Sequence, residues 1–327
     1  MRSKLKARKT RAVQLAIATI MLAVPASAFA LTGAVTYTQA AATPSLVHVG
    51  VTPRRTNLYH AVTVTGVAPA SDAGHSAVLE TSSGRQASWH FVTSTPIGSA
   101  GRFRLRTRLR HSGFVRIIDA ATASSAGAVS PSWASSPAGT TASASVRVAV
   151  AAQFKVQPRS WNVLDGHAAV VQGRLMPGRA GRKVGLQAHY RNGWRTVASG
   201  RTGQAGGFRL RYAATSGLQR RLRVLFAGDS ANTHSSRAAG QLTAYGESLA
   251  SWYNDAGNTA CGFHAGLGVA NRSLPCGTKV RFRYNGRSVT ATVDDRGPYV
   301  GGRDWDLNQN TAQALGFGGV GTVWASQ

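Results

Sequence analysis

Acid is what this 327-residue chain has least of. Eleven Asp and Glu stand against 38 Lys and Arg, giving a formal charge of +27. Carboxylate chemistry is therefore confined to the few places where acids gather. The C-terminal segment is the main one: residues 246–327 hold six of the eleven acids and only seven basic residues. Cysteine is almost missing too. Cys261 and Cys276 are the only two, which leaves room for one disulfide, with free thiols or a metal site as the other readings. A cysteine pair without clustered histidines makes a poor zinc site, and no metal or cofactor is expected. Long apolar runs are lacking as well. The single one, Ala12 to Val24, falls short of the ~20 residues that span a bilayer.

That run follows Arg2, Lys4, Lys6, Arg8, Lys9 and Arg11 and precedes the small-x-small sites Ala26-Ser27-Ala28 and Ala28-Phe29-Ala30. Residues 1–30 thus read as a secretion signal that touches a membrane only transiently. An uncleaved anchor is the other reading. No cysteine lies near the cleavage sites, which excludes a lipid-modified N-terminus. Residues 12–245 carry 25 basic and five acidic side chains. Such a surface attracts polyanions without specificity. For a secreted protein those are anionic cell-wall polymers, and nucleic acid is not expected.

Residues 31–43 read as a flexible leader. From there to residue 245 the texture is β, with short β-branched runs such as Val62-Thr63-Val64-Thr65 between Gly and Pro. The segment is duplicated. Pro53 recurs as Pro158, Trp89 as Trp194 and Phe103 as Phe208, all at one offset, and Arg102-Phe103-Arg104-Leu105-Arg106 is echoed by Gly207-Phe208-Arg209-Leu210-Arg211. Two sandwich-like repeats are predicted, 44–150 and 151–245, the first interrupted by a low-complexity insert at 120–145. Val224-Leu225-Phe226-Ala227-Gly228-Asp229 resembles the last strands of bacterial Ig-like surface repeats. Arg102, Arg104, Arg106, Arg108 and Arg110 are predicted to line one face of a strand, with Phe103, Leu105 and Leu109 on the other.

After residue 246 a hairpin is predicted, Thr278–Tyr284 and Arg287–Val293 around Asn285-Gly286. A short helix over 311–315 and a last strand over 319–324 follow. The candidate chemistry lies in Asp294-Asp295-Arg296-Gly297-Pro298-Tyr299 and Gly302-Arg303-Asp304-Trp305-Asp306-Leu307. With Ser251-Trp252-Tyr253, Thr259-Ala260-Cys261-Gly262, Gly268-Val269-Ala270 and Leu274-Pro275-Cys276-Gly277, these motifs resemble, in order, the RlpA-like double-psi β-barrel domain. Expansins, family 45 endoglucanases and the membrane-bound lytic transglycosylase A share that fold. The resemblance implies a six-stranded barrel with an open groove for peptidoglycan glycan strands, Asp306 as the proton donor and Asp295 as its partner. One acid suffices for a lytic transglycosylase, because the sugar's own hydroxyl attacks.

Other readings stand beside these roles: Asp306 caps the following helix, and Asp295 holds the Arg296-Gly297-Pro298 turn. If the two Asp lie on neighbouring strands, their charges raise one pKa. Tyr253, Tyr299 and Trp305 are candidates for stacking on sugar rings, whereas Trp252 is assigned to the core. Arg296, Asn271 and His264 complete the candidate site. Two positions depart from the family pattern. Phe263 stands in a region where a Glu is usual, and Asn271 replaces a His; Asn can hydrogen-bond a sugar but cannot shuttle a proton. The expectation is an all-β, secreted, wall-associated chain of two sandwiches and a barrel at 246–327. It either cleaves glycan strands or binds them without cleavage as expansins do.

Overall fold

The computed structural model describes residues 48–120, 141–215, 217–254 and 257–327. The expected signal, leader and most of the insert lie outside them. The first sandwich comprises β1 (His48–Thr52), β2 (Arg55–Asn57), β3 (Ala61–Val67), β4 (Ser76–Ser82), β5 (His90–Pro96), β6 (Arg102–Arg108), β7 (Gly113–Ala120), β8 (Thr141–Ala142) and β9 (Val146–Ala151). The second comprises β10 (Gln153–Lys155), β11 (Arg159–Leu164), β12 (Ala168–Met176), β13 (Lys183–Tyr190), β14 (Gly193–Arg201), β15 (Gly207–Ala213), β16 (Gln219–Gly228) and the first part of β17 (Thr233–Tyr253).

The two repeats share one topology. A three-stranded sheet, β1-β3-β6 or β10-β12-β15, faces a sheet built on the hairpin β4–β5 or β13–β14, continued by β7 and β9 or by β16 and β17. A short strand, β2 or β11, runs parallel to the last strand in each. The recurrence of Phe103 and Phe208 has a physical reason. A Cβ on Gly66 or Gly173 would strike the ring of Phe103 or Phe208 at 2.2 or 2.9 Å, so each Phe lies over a residue that must be glycine. Trp89 and Trp194 also play the same part, each under an arginine guanidinium, Arg116 at 4.3 Å and Arg223 at 4.2 Å. Each core is filled by the inward half of the alternation, such as Val62, Val64, Phe103 and Leu105 in the first. A fully buried side chain of this kind contributes about 1.5–3 kcal/mol. The outward half of β6 is Arg102, Arg104, Arg106 and Arg108, all exposed.

Two sequence expectations need correcting here. The arginine stripe leaves the strand at Arg108, and the carbonyl of Arg110 instead accepts a hydrogen bond from Asn232 (2.9 Å). The end of the insert is not loop: Thr141–Ala142 pairs with β7, and Ser143 Oγ accepts from the amide of Ile117.

The barrel consists of the rest of β17, β18 (Gly268–Ala270), β19 (Lys279–Tyr284), β20 (Arg287–Asp295), β21 (Trp305–Asn308), helix α1 (Gln309–Leu315) and β22 (Gly321–Ser326). Pairings run β21-β18-β20-β19-β22-β17 and return from β17 to β21, so every strand has two neighbours. The Asn285-Gly286 turn has positive φ at both residues (44° and 82°), as a two-residue hairpin of this hand requires. Among the described residues no helix is long and apolar enough to cross a membrane.

No loop separates the second sandwich from the barrel. The boundary expected at 246 falls inside β17, and only the partners change there: Tyr245 lies opposite Leu164, Gly246 opposite Ala325. Tyr245 is fully buried, bonds Asn162 through its hydroxyl and packs its ring against Trp324. The two sandwiches are also tightly joined, with Ala152 alone between β9 and β10. The buried Asn232 donates to the carbonyls of Arg110 and Val150 and accepts from Arg182.

Candidate active site in the C-terminal barrel

Strand alternation decides which face each barrel side chain takes. On β21, Trp305 and Leu307 are buried in the barrel core, so Asp306 faces outward. Its neighbour on β17 is Ser251, in parallel register, and Ser251 Oγ donates to Asp306 Oδ1 at 2.7 Å. On the other side Ala270 of β18 is opposite both Asp306 and Asp295. The two candidate acids are therefore not on neighbouring strands, as the hairpin reading supposed. One strand separates them, roughly 10 Å between Cα atoms, with only the methyl of Ala270 in register between. Burial raises the pKa of Asp306. The Ser251 hydrogen bond and Arg303 oppose the rise, and the charge of Asp295 adds to it.

Asp295 is partly committed to holding backbone. Its Oδ1 accepts from the amides of Ala260 and Arg296, both at 2.8 Å, and its carbonyl accepts from Asn271. The turn-holding reading of Asp295 thus describes one of its oxygens. The capping reading of Asp306 fails, because the cap of α1 is Asn308, whose Oδ1 accepts from the amide of Thr311.

Asp294 sits where β20 bulges against β18, with Val269 opposite Val293 and Ala270 opposite Asp295. It is fully buried, and its oxygens accept from the amides of Val269 and Ala265. A Cβ on Gly268 would meet this carboxylate at 2.3–2.7 Å. Burial still raises its pKa, against those amides and the nearby His264. His264 is thus placed by charge near Asp294, on the exposed loop that also carries Phe263.

A disulfide joins Cys261 and Cys276 and ties that loop to the one before β19. Arg296 braces the second loop, donating to the carbonyls of Asn271 and Leu274 and to Cys276 Sγ. Asn271 Oδ1 accepts from the amides of Ser273 and Leu274 and its Nδ2 donates to the carbonyl of Asp304, so the side chain shapes a turn. Tyr299 is 86 % exposed beside this framework.

The aromatic assignments change. Trp305 is 6 % exposed and meets Phe282 edge to face, so it offers no ring to a ligand. Tyr253 is half-buried with its hydroxyl inside. Trp252, assigned to the core, is 42 % exposed near the end of β17, and Phe263 equally so. Ser251 is the neighbour of Asp306 that sequence reasoning missed. Its signal is the parallel register of two segments 55 residues apart, which no local pattern carries.

The geometry agrees with comparison to known proteins. Residues 246–324 match the family model described as lytic transglycolase. The C-terminal domain is an RlpA-like double-psi β-barrel. Two proteins described as probable endolytic peptidoglycan transglycosylase RlpA are similar to it. The one from Synechocystis sp. is 38 % identical over 91 residues, 23 % of this chain and 26 % of the relative. The one from Nostoc sp. is 47 % identical over 57 residues, 17 % of this chain and 15 % of the relative. The chain thus spans about a quarter or less of the length of these relatives. Two titin structures, a chimeric Z1Z2 tandem and an I-band fragment, align with 60 % and 72 % of this chain (99 % and 77 % of theirs). Identities are 14 % and 9 %, and TM-scores of 0.22 and 0.25 carry no argument about the sandwiches.

Proposed function

We propose that the RlpA-like barrel acts on peptidoglycan glycan strands outside the cell, as a lytic transglycosylase with Asp306 as proton donor. The observation that carries this is the state of the Asp306 carboxyl. It faces outward, it is half-buried, its pKa is pushed up by that burial, and Ser251 fixes one oxygen. A carboxyl that keeps its proton nearer neutral pH can deliver it to a glycosidic oxygen. Asp295 adds negative charge that favours the protonated form and could steady positive charge developing on the sugar. Tyr299, Trp252 and Phe263 offer exposed apolar faces to rings.

The second reading is glycan binding without cleavage. It is favoured by Asn271, which supplies no proton shuttle and is occupied with its own turn. In both readings the exposed arginines of β6, with Arg209 and Arg211 on the equivalent strand β15, hold the chain to anionic wall polymers.

The test is digestion of purified peptidoglycan, with and without stem peptides. Release of 1,6-anhydro-muramoyl products, reduced about 10²- to 10⁴-fold in Asp306→Asn, supports the enzyme. Pelleting with sacculi and no released product overturns catalysis and leaves binding. Pelleting that is indifferent to salt overturns the role given to the arginines.

A further inference from the structure

The first sandwich gathers acid where the fold does not call for it. Of five acidic residues in 12–245, two meet a histidine at one corner. Asp72 ends a single 3₁₀ turn (Ala70–Asp72), His75 follows it, and Asp119 lies near the end of β7, opposite Ala77. One donor atom from each lies within 4.8 Å of the other two. His75 Nδ1 is 3.1 Å from Asp119 Oδ1, and Ser71 Oγ donates to Asp72 Oδ1. Asp72 is only 9 % exposed, and its second oxygen, Oδ2, is buried with no N–H or O–H group donating to it. Burial, then the neighbouring Asp72 carboxyl, raises the pKa of Asp119, so without a cation the two acids are held together by a shared proton. A carboxylate oxygen so placed costs free energy unless something positive meets it.

The second sandwich closes this corner with an ion pair in place of a cluster of acids. There Gly181 and Thr202 make the backbone bonds that Gly74 and Ile97 make in the first, which places Arg182 where His75 stands. The β13–β16 register places Phe226 where Asp119 stands. Arg182 stacks over Phe226 and pairs with Asp229. The same scaffold closes with one arginine–carboxylate pair in one repeat and with two carboxylates and an imidazole in the other.

We propose that Asp72, His75 and Asp119 form a binding site for a divalent transition-metal ion, zinc being the ion that the donor set fits. Imidazole nitrogen and carboxylate oxygen are both ligand types that zinc takes, and three protein ligands with an open fourth position is the arrangement of non-structural zinc sites. Metal–ligand bonds of about 2.0–2.2 Å put tetrahedral ligand atoms ~3.3 Å apart, close to the 3.1 Å between His75 and Asp119. Calcium asks for six to eight oxygens. Ser71 orients Asp72 from outside the ligand set. The imidazole side chain is 33 % exposed, so the ion enters from solvent and its fourth position is open to water. Binding requires a neutral imidazole and two ionised carboxylates, so any proton held between them is released.

The test is zinc titration of the full chain by calorimetry, with the cobalt(II) absorption spectrum and the Tm of the chain as independent readouts. The expected result is one zinc per chain, a Tm that rises with zinc, and a Kd weakened at least tenfold in both Asp72→Asn and His75→Gln. Should Asp72→Asn fail to fold, His75→Gln, at a partly exposed position, decides alone. Zinc bound equally well by His75→Gln, no zinc bound by the wild-type chain, or a Tm that responds to calcium and not to zinc would each overturn the proposal.

Discussion

The equivalent corners of the two sandwiches solve one packing problem in opposite ways. In the second, every group is accounted for. Arg182 reaches Asp229, Asn232 and the carbonyl of Pro177, and Asn232 carries the network on to Arg110 and Val150 of the first sandwich. In the first, Asp72 is left with an oxygen that no donor meets. The topology fixes the strands, whereas the charge at the corner is free to vary. One copy spends it on holding the repeats together; the other keeps it available. Asp294 in the barrel belongs with the satisfied kind, since both its oxygens receive backbone amides.

The largest test of this contrast is Arg182→Met. It keeps an apolar stem against Phe226 but takes the cation from Asp229 and the donor from Oδ1 of the buried Asn232. A loss of about 3 kcal/mol is expected, measured by urea unfolding. A cost no greater than that of His75→Met would erase the difference between the corners. Next comes Gly268→Ala, which drives a methyl into the Asp294 carboxylate. It should cost about 2 kcal/mol and lower the barrel's melting temperature. An unchanged barrel would mean that Asp294 does not pin the bulge.

The smallest effect concerns His111, at the junction of the sandwiches. Partial burial, then the charges of Arg179, Arg182 and Arg110, hold its pKa below the ordinary imidazole value. Its folded form binds fewer protons than its unfolded form, so the stability present above about pH 6.5 is lost as pH falls through the depressed value. His111→Gln should flatten the dependence of Tm on pH between about 7.5 and 5. The change is within about 1 kcal/mol, the scale of exposed charges. An equally steep profile in the variant would place the titrating group elsewhere.

Much of the fold was legible because its causes are local. Phe103 and Phe208 announced the repeat because each needs a glycine beneath it, and Asn285-Gly286 announced the hairpin because both residues take positive φ. What stayed hidden depends on register. Ser251 meets Asp306 only because β17 and β21 run parallel, and Ala270 stands between the two acids only because β18 inserts there. Trp305 could have been placed by alternation: once Asp306 faces out, Trp305 and Leu307 face in. Trp252 could not, since its exposure comes from lying near the end of its strand. The corner at Asp72 was invisible in the sequence because 44 residues separate His75 from Asp119.

The continuous run of β17 from Thr233 to Tyr253 has a mechanical side. A chain held to a polymer by its sandwiches and pulling on a strand with its barrel would carry the load through this one strand. Within the barrel the load passes to β22 on one side and β21 on the other, along ladders lying parallel to the pull. Hydrogen bonds loaded in that direction must slip together; they cannot open one after another. Under such a load the junction would act as one continuous strut, running from the second sandwich to the strand that carries Ser251.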